Sequence, residues 1–311
     1  MQRVNNMKAI ETKGLTKFYG KARGITCLDL AVEEGEFFGF IGPNGAGKST
    51  TIRILTGLIK SSGGSASIFE RDVSGKKDEI LADIGYLPSE AVFYNGMKVK
   101  DVIKLSADLR KRDCSAEAAR LCERLQLDTE KKVEELSFGN RKKVGIVCAL
   151  QHNPKLCILD EPTSGLDPLM QREFFSILRE KNAAGMTVFL SSHILSEIQR
   201  NCTRAAIIRD GKLIACDSVE NLAKTSAKRV NVHGDVFLGG LTEVRDVQQF
   251  DGGVNFLYGG EIKELLRILA AGRVTDISIA EPDLEEIFMH YYQDESQNAA
   301  ALKGGEQNDT L

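Results

Sequence analysis

The sequence has no apolar run approaching the roughly 18 residues that a membrane-spanning helix needs. Its first ten residues, MQRVNNMKAI, contain no apolar core of the signal-peptide kind. The expected location is therefore the cytosol. There is no cysteine pattern either. Seven cysteines (Cys27, Cys114, Cys122, Cys148, Cys157, Cys202, Cys216) are scattered, odd in number and never in a C-x-x-C pair. That argues against a disulfide framework and against zinc. Cys157 lies in an apolar run and reads as a small hydrophobe. The four histidines show no metal-ligand spacing. Charge of one sign is also lacking: 41 Lys and Arg face 44 Asp and Glu, for a net charge of -3. No basic field gathers nucleic acid or an anionic membrane, so no nucleic-acid partner is expected.

What is present is ordinary for a globular chain. Of 311 residues, 42% are hydrophobic and 27% charged, enough for a sizeable core in one large domain and a small one. Short apolar runs alternate with helical patterns, which predicts an α/β fold. Phe37–Ile41, Leu156–Leu159 and Thr187–Leu190 are continuous apolar segments, as in parallel strands covered on both faces. The stretch 97–150 differs, with amphipathic helices expected over Val99–Leu109 and Ala116–Leu125 and no strand between them. Beyond about residue 226, strand candidates (Arg229–Val232, Val254–Tyr258, Val274–Ala280) mix with helix candidates (Glu261–Ala271, Pro282–Tyr292). Gly-Gly pairs at 239–240, 252–253 and 259–260 mark turns. The expected organisation is a main domain over 1–225 with a helical insertion at about 97–150, a small α+β appendage over 226–292, and a polar, disordered tail over 293–311.

Three segments carry chemistry. Gly42-Pro43-Asn44-Gly45-Ala46-Gly47-Lys48-Ser49-Thr50 matches G-x-x-x-x-G-K-[ST] between an apolar strand and a helical pattern over Thr51–Leu58. Glycines let the backbone turn its N–H groups onto phosphate oxygens, and the helix N-terminus adds positive partial charge. Lys48 supplies an ammonium for the β- and γ-phosphates, and the Ser49 hydroxyl suits Mg²⁺. The second segment is Leu156–Leu159 followed by Asp160 and Glu161, a buried strand ending in two carboxylates. Asp160 is expected to hold Mg²⁺ through water and Glu161 to accept a proton from, or orient, the attacking water. The third is His193, after the apolar run Phe189-Leu190-Ser191-Ser192, placed to donate to the γ-phosphate.

Together these motifs resemble the ATP-binding-cassette (ABC) ATPase family, over about residues 8–224. Leu136-Ser137-Phe138-Gly139-Asn140 is similar to its LSGGQ signature, and Ser164-Gly165-Leu166-Asp167 to its D-loop. Tyr19, in Lys17-Phe18-Tyr19-Gly20, stands where the family stacks an aromatic on adenine. The resemblance implies a P-loop NTPase (RecA-like) core with an antiparallel β subdomain. It implies ATP and Mg²⁺ as ligands, with Ser137, Gly139 and Asp167 added to the nucleotide site. Two departures stand out. Phe138 and Asn140 replace the usual Gly and Gln of the signature. Ser89, in Ile84-Gly85-Tyr86-Leu87-Pro88-Ser89-Glu90, replaces a Gln that reaches Mg²⁺ and the water, and Ser is too short to do the same; Glu90 or a water bridge is left to substitute.

Asp283-Leu284-Glu285-Glu286-Ile287-Phe288 resembles the accessory segment of ABC-2-type, bacitracin-export-like ATPases. The family implies two ATPase subunits, identical or paralogous, sandwiching ATP and lying peripherally on the inner face of the cell membrane, and a separate transmembrane permease. The expected function is thus an exporter ATPase. The alternatives are a soluble ABC ATPase acting on ribosomes or DNA, and an importer ATPase.

Overall fold

The computed structural model describes residues 7–280 apart from 21, 76, 224–227 and 237. The elements run β1 (Lys8–Tyr19), β2 (Ala22–Glu33), β3 (Phe37–Ile41), α1 (Lys48–Leu55), β4 (Gly63–Ile68), β5 (Arg71–Asp72), α2 (Lys77–Leu81), β6 (Ile84–Leu87), α3 (Val99–Leu109) and α4 (Ser115–Arg124). After a 3₁₀ turn at Val133–Glu135 come α5 (Phe138–Leu150), β7 (Leu156–Asp160), α6 (Pro168–Ala183), β8 (Thr187–Ser192), α7 (Leu195–Asn201), β9 (Arg204–Arg209), β10 (Lys212–Ser218) and α8 (Val219–Ala223). The last are β11 (Lys228–Asp235), β12 (Val244–Phe250), β13 (Gly253–Tyr258), α9 (Ile262–Ala271) and β14 (Arg273–Ala280). The described residues fall into two compact units that divide between Val219 and Glu220.

The first unit is built on a sheet of order β10-β9-β3-β8-β7-β6, parallel except for the β9–β10 hairpin. Its central strands β3, β7 and β8 are buried at every residue, as their continuous apolar runs require. Phe38 stacks on Phe189 across β3 and β8, with ring centroids 5.9 Å apart. A second, antiparallel sheet of order β2-β1-β4-β5 shares this core through Ile10, Leu15, Ile25, Leu28 and Leu30, against Ile52 and Leu55 of α1. The expected α/β core with an antiparallel subdomain is therefore the observed one.

Between β6 and β7, α3 and α4 pack on α5. Arg124 ties α4 to α6 by bonds of 2.5 Å to Glu173 and 2.6 Å to Glu180. The Arg120 guanidinium, bonded to Glu117, and Lys181, 2.6 Å away on α6, hold the Glu117 carboxyl down at about 2. α1 differs from the expected Thr51–Leu58. It begins at Lys48, inside the glycine-rich loop, and ends at Leu55, with Thr56 and Gly57 closing it. Leu58 lies past that end and is exposed.

The second unit is an antiparallel sheet of order β12-β13-β11-β14 with α9 on one side. Val230, Val232, Phe256 and Tyr258 of the sheet and Leu265 and Leu269 of the helix form its core. The expected helix over Pro282–Tyr292, the 283–288 segment and the 293–311 tail lie outside the described residues. Among the described residues, no helix is long and apolar enough to cross a membrane.

Candidate nucleotide site

The glycine-rich loop leaves the end of β3 and runs straight into α1. Gly47 is the N-cap of α1 with φ 109°, a left-handed conformation that an L side chain resists. A Cβ there would also lie 2.7 Å from Ile25 Cγ2, so the loop is pressed onto β2 with no room for one. The Ala46 carbonyl accepts from Gly211 N at 3.0 Å, which ties the loop to the β9–β10 hairpin. Asn44 and Gly45 remain exposed at its crest. Lys48, the first residue of α1, is only 5% exposed, and its Nζ donates to Gly42 O at 2.6 Å and Pro43 O at 3.1 Å. Ser49 and Thr50 follow in the first helical turn.

The acidic pair sits where β7 ends. Asp160 is buried and pairs in register with Ser191 of β8, whose Oγ donates to Asp160 Oδ1 at 3.0 Å. Successive strand residues face opposite ways, so two adjacent carboxylates reach one site only if the chain turns. It does so at Glu161, whose φ of 47° is left-handed, with its N–H donating to Ser191 O at 3.0 Å. A non-glycine residue there costs about 1–2 kcal/mol, a strain of the kind that collects at functional sites. Glu161 Oε1 lies 3.4 Å from Lys48 Nζ and 3.1 Å from His193 Nδ1. The turn that carries His193 is fixed by Ser192, whose Oγ accepts from Ile194 N at 2.9 Å and donates to Glu197 at 2.8 Å. Lys48, on the helix that follows β3, and His193, just past β8, therefore meet on one carboxylate oxygen of Glu161, just past β7. Burial, then the charge of Asp160, pushes the Tyr86 phenol on β6 up to about 12.

Other motif residues lie on helix ends. Ser137 caps α5, its Oγ accepting from Asn140 N at 3.3 Å, and Gly139 lies in the first turn. The resemblance gives Asp167 to nucleotide binding; here its Oδ1 caps α6, accepting from Met170 N at 3.0 Å. Tyr19, at the end of β1, is exposed, with Lys17 Nζ 5.5 Å from its ring centroid. Ser89 is half-buried and Glu90 exposed.

Sequence reasoning passed over two contacts. Phe138, the departure from the signature pattern, packs on Gly165 of the D-loop: a Cβ at Gly165 would be 2.2 Å from Phe138 Cδ1. Gly165 also has φ 80°. Gly165→Ala is expected to destabilise the chain by at least about 2 kcal/mol, from a left-handed alanine and an overpacked contact together. Denaturant unfolding measures this, and adding Phe138→Ala should return the steric share. A wild-type midpoint for Gly165→Ala would show that the two segments move apart freely. The second contact is Lys142 on α5, fully buried, whose Nζ donates to the carbonyls of Ser89 at 2.5 Å and Pro88 at 3.2 Å. Burial pulls this ammonium down to about 8 against the opposing charges of Asp160 and Glu161.

Known proteins are similar to this chain in sequence and fold. The ABC transporter family matches residues 25–164. The bacitracin transport ATP-binding protein BcrA of Bacillus licheniformis is 34% identical over 297 residues, covering 90% of this chain and 96% of that protein. The chain belongs to the ABC transporter ATP-binding proteins. A second member, the uncharacterized ABC transporter ATP-binding protein YhaQ of Bacillus subtilis, is 33% identical over 88% of this chain and 95% of its own length. Among solved structures, an ATP-binding subunit of an ABC transporter superposes with a TM-score of 0.65 at 30% identity, over 69% of this chain and 91% of that one. The ADP conformation of another ABC transporter cassette gives 0.59 at 25% identity, over 70% of this chain and 94% of that one. This ABC protein therefore binds and hydrolyses ATP as the nucleotide-binding subunit of a transporter, and the ribosome- or DNA-acting alternative is not supported.

Proposed function

We propose that this ABC subunit is the motor of an exporter, with Glu161 as the base that activates water against ATP held on the 42–50 loop. The observation that carries the reading is the meeting of Lys48 and His193 on Glu161 Oε1, at 3.4 and 3.1 Å. Lys48, the loop N–H groups and the N-terminus of α1 bind the β- and γ-phosphates. Tyr19 stacks on adenine. Ser49 and Asp160, a hydroxyl and one carboxylate, would hold a Mg²⁺, Asp160 through water. Such an ion would neutralise charge on the phosphates. Water forms a bond to the γ-phosphorus as the bond to the β,γ-bridging oxygen breaks. Its proton passes to Glu161, oriented by His193, and ADP and phosphate leave.

Ser137, Gly139 and Asp167 serve the ATP of a second ATPase subunit, whether an identical chain or a paralogue, so that ATP glues the pair and hydrolysis loosens it. A separate transmembrane permease, reached from the cytoplasmic face, would turn closure into transport. Its chemistry selects the cargo. The match to a bacitracin transport protein runs through both units, which supports a transport motor. Ser137→Arg tests the sandwich. Monomer ATP binding should persist while ATP-driven dimerisation disappears from size-exclusion chromatography. Ser137→Ala is the control for the lost helix cap alone, worth about 1 kcal/mol. A Ser137→Arg chain that still dimerises with ATP and turns over normally would remove the signature from the mechanism.

A further inference from the structure

Lys142 is a buried cation with no buried acid bonded to it among the described residues. Its side chain is 1% exposed, and its ammonium donates to two main-chain carbonyls, those of Pro88 and Ser89. Taking an ammonium out of water is costly unless its donors are used. A methionine or leucine would fill the same space in α5 without that cost. What the ammonium achieves is a fixed attachment of α5 to the segment that follows β6. The same helix face makes a second one. Gly145, one turn on and so on the same side of the helix, lies so close that a Cβ would stand 2.7 Å from Leu87 Cδ1 and 3.3 Å from Ala91 Cβ. The 87–91 segment is thus clamped along α5 at two points. Two residues of that segment, Ser89 and Glu90, stand where the family places or flanks its glutamine, and α5 starts at the signature serine.

We infer that Lys142 is a positioning residue for hydrolysis: by holding the carbonyls of Pro88 and Ser89 from α5, it sets the stance of this segment at the mouth of the nucleotide site. The inference rests on Asp160 and Glu161 being the hydrolytic centre. Their charges act on Lys142, so the ammonium lies within their field. It also makes α5 one rigid lever. A displacement of the signature end is carried to the 88–89 carbonyls five residues along the same helix.

Lys142→Met and Lys142→Gln, made in the full chain, test it. The two side chains are nearly the same size and both uncharged; only Gln keeps N–H donors for the carbonyls. Lys142→Met is expected to lower kcat by about 10–10²-fold, the scale of a misplacement away from the reacting atoms, with KM for ATP unchanged. Lys142→Gln should recover most of that loss. Hydrogen exchange in Lys142→Met should quicken in peptides over 84–93 and stay unchanged over 42–50, with Lys142→Gln close to wild type over both. Equal kcat in Met and wild type, equal loss in Met and Gln, or faster exchange confined to α5 would each overturn the proposal. Glu161→Gln is assayed alongside. Retained hydrolysis there would remove the assumed centre, an outcome separable from any result at Lys142.

Discussion

Glu161→Gln is expected to keep ATP binding and lose hydrolysis by about 10²–10⁴-fold, the usual worth of a general base. Phosphoryl transfer to water asks little covalent help of the protein; it asks for a water held in line and for stabilised charge. The left-handed turn at Glu161 delivers its carboxylate beside Lys48 and His193, the loop cation and the switch histidine. An amide oxygen there still accepts a hydrogen bond from His193 or from water, so the geometry survives. What is lost is basicity. ATP affinity should not fall, because the substitution removes an anion from beside the phosphates. Since hydrolysis is what opens the sandwich, the variant should accumulate as an ATP-bound dimer, visible by size-exclusion chromatography with and without Mg-ATP. If the natural partner is a paralogous cassette, the trapped species will form only when both chains are mixed. Wild-type turnover with intact binding would move the base elsewhere, with His193 next to test.

The parts of the site that could be read in advance are those a short stretch of chain makes by itself. The loop 42–50 needs only its glycines and the following helix, and the acidic strand end needs only Leu156–Glu161. What the sequence could not display is convergence. Lys48, Glu161 and His193 are far apart along the chain and meet because the sheet orders their strands as β3-β8-β7. Lys142 was illegible for a related reason. In Arg141-Lys142-Lys143 it reads as part of a solvated basic run, whereas the fold buries it with its Nζ on the Pro88 and Ser89 carbonyls, more than fifty residues away in sequence. The α1 boundary shifted because helical residues inside the loop carry no apolar period. β12 was missed because Val244, Val247 and Phe250 recur every third residue, not every second. The structure accounts for that spacing by a register shift between Arg245 and Gln248 and a left-handed Asp246.

Lys48→Ala is expected to abolish tight nucleotide binding. The ammonium is the loop's only cationic side chain, and hydrogen bonds from a charged donor are worth about 1.5–3 kcal/mol each. Losing two of them to phosphate corresponds to roughly 10²-fold or more in affinity. A second effect adds to this. Lys48 lies 3.4 Å from Glu161, so its removal leaves that carboxylate facing the phosphates with less neutralising charge. Lys48→Arg should not rescue, because a planar guanidinium cannot place its charge where a buried point charge donates to Gly42 and Pro43 carbonyls. Titration with a fluorescent ATP analogue separates the two contributions. If Glu161 repels unshielded phosphate, Lys48→Ala with Glu161→Gln will bind more tightly than Lys48→Ala alone. If the ammonium's own bonds are the whole effect, the double variant will bind no better. Wild-type affinity in the Lys48→Ala chain would take the phosphates off the loop, and with them the assignment of every residue around Glu161.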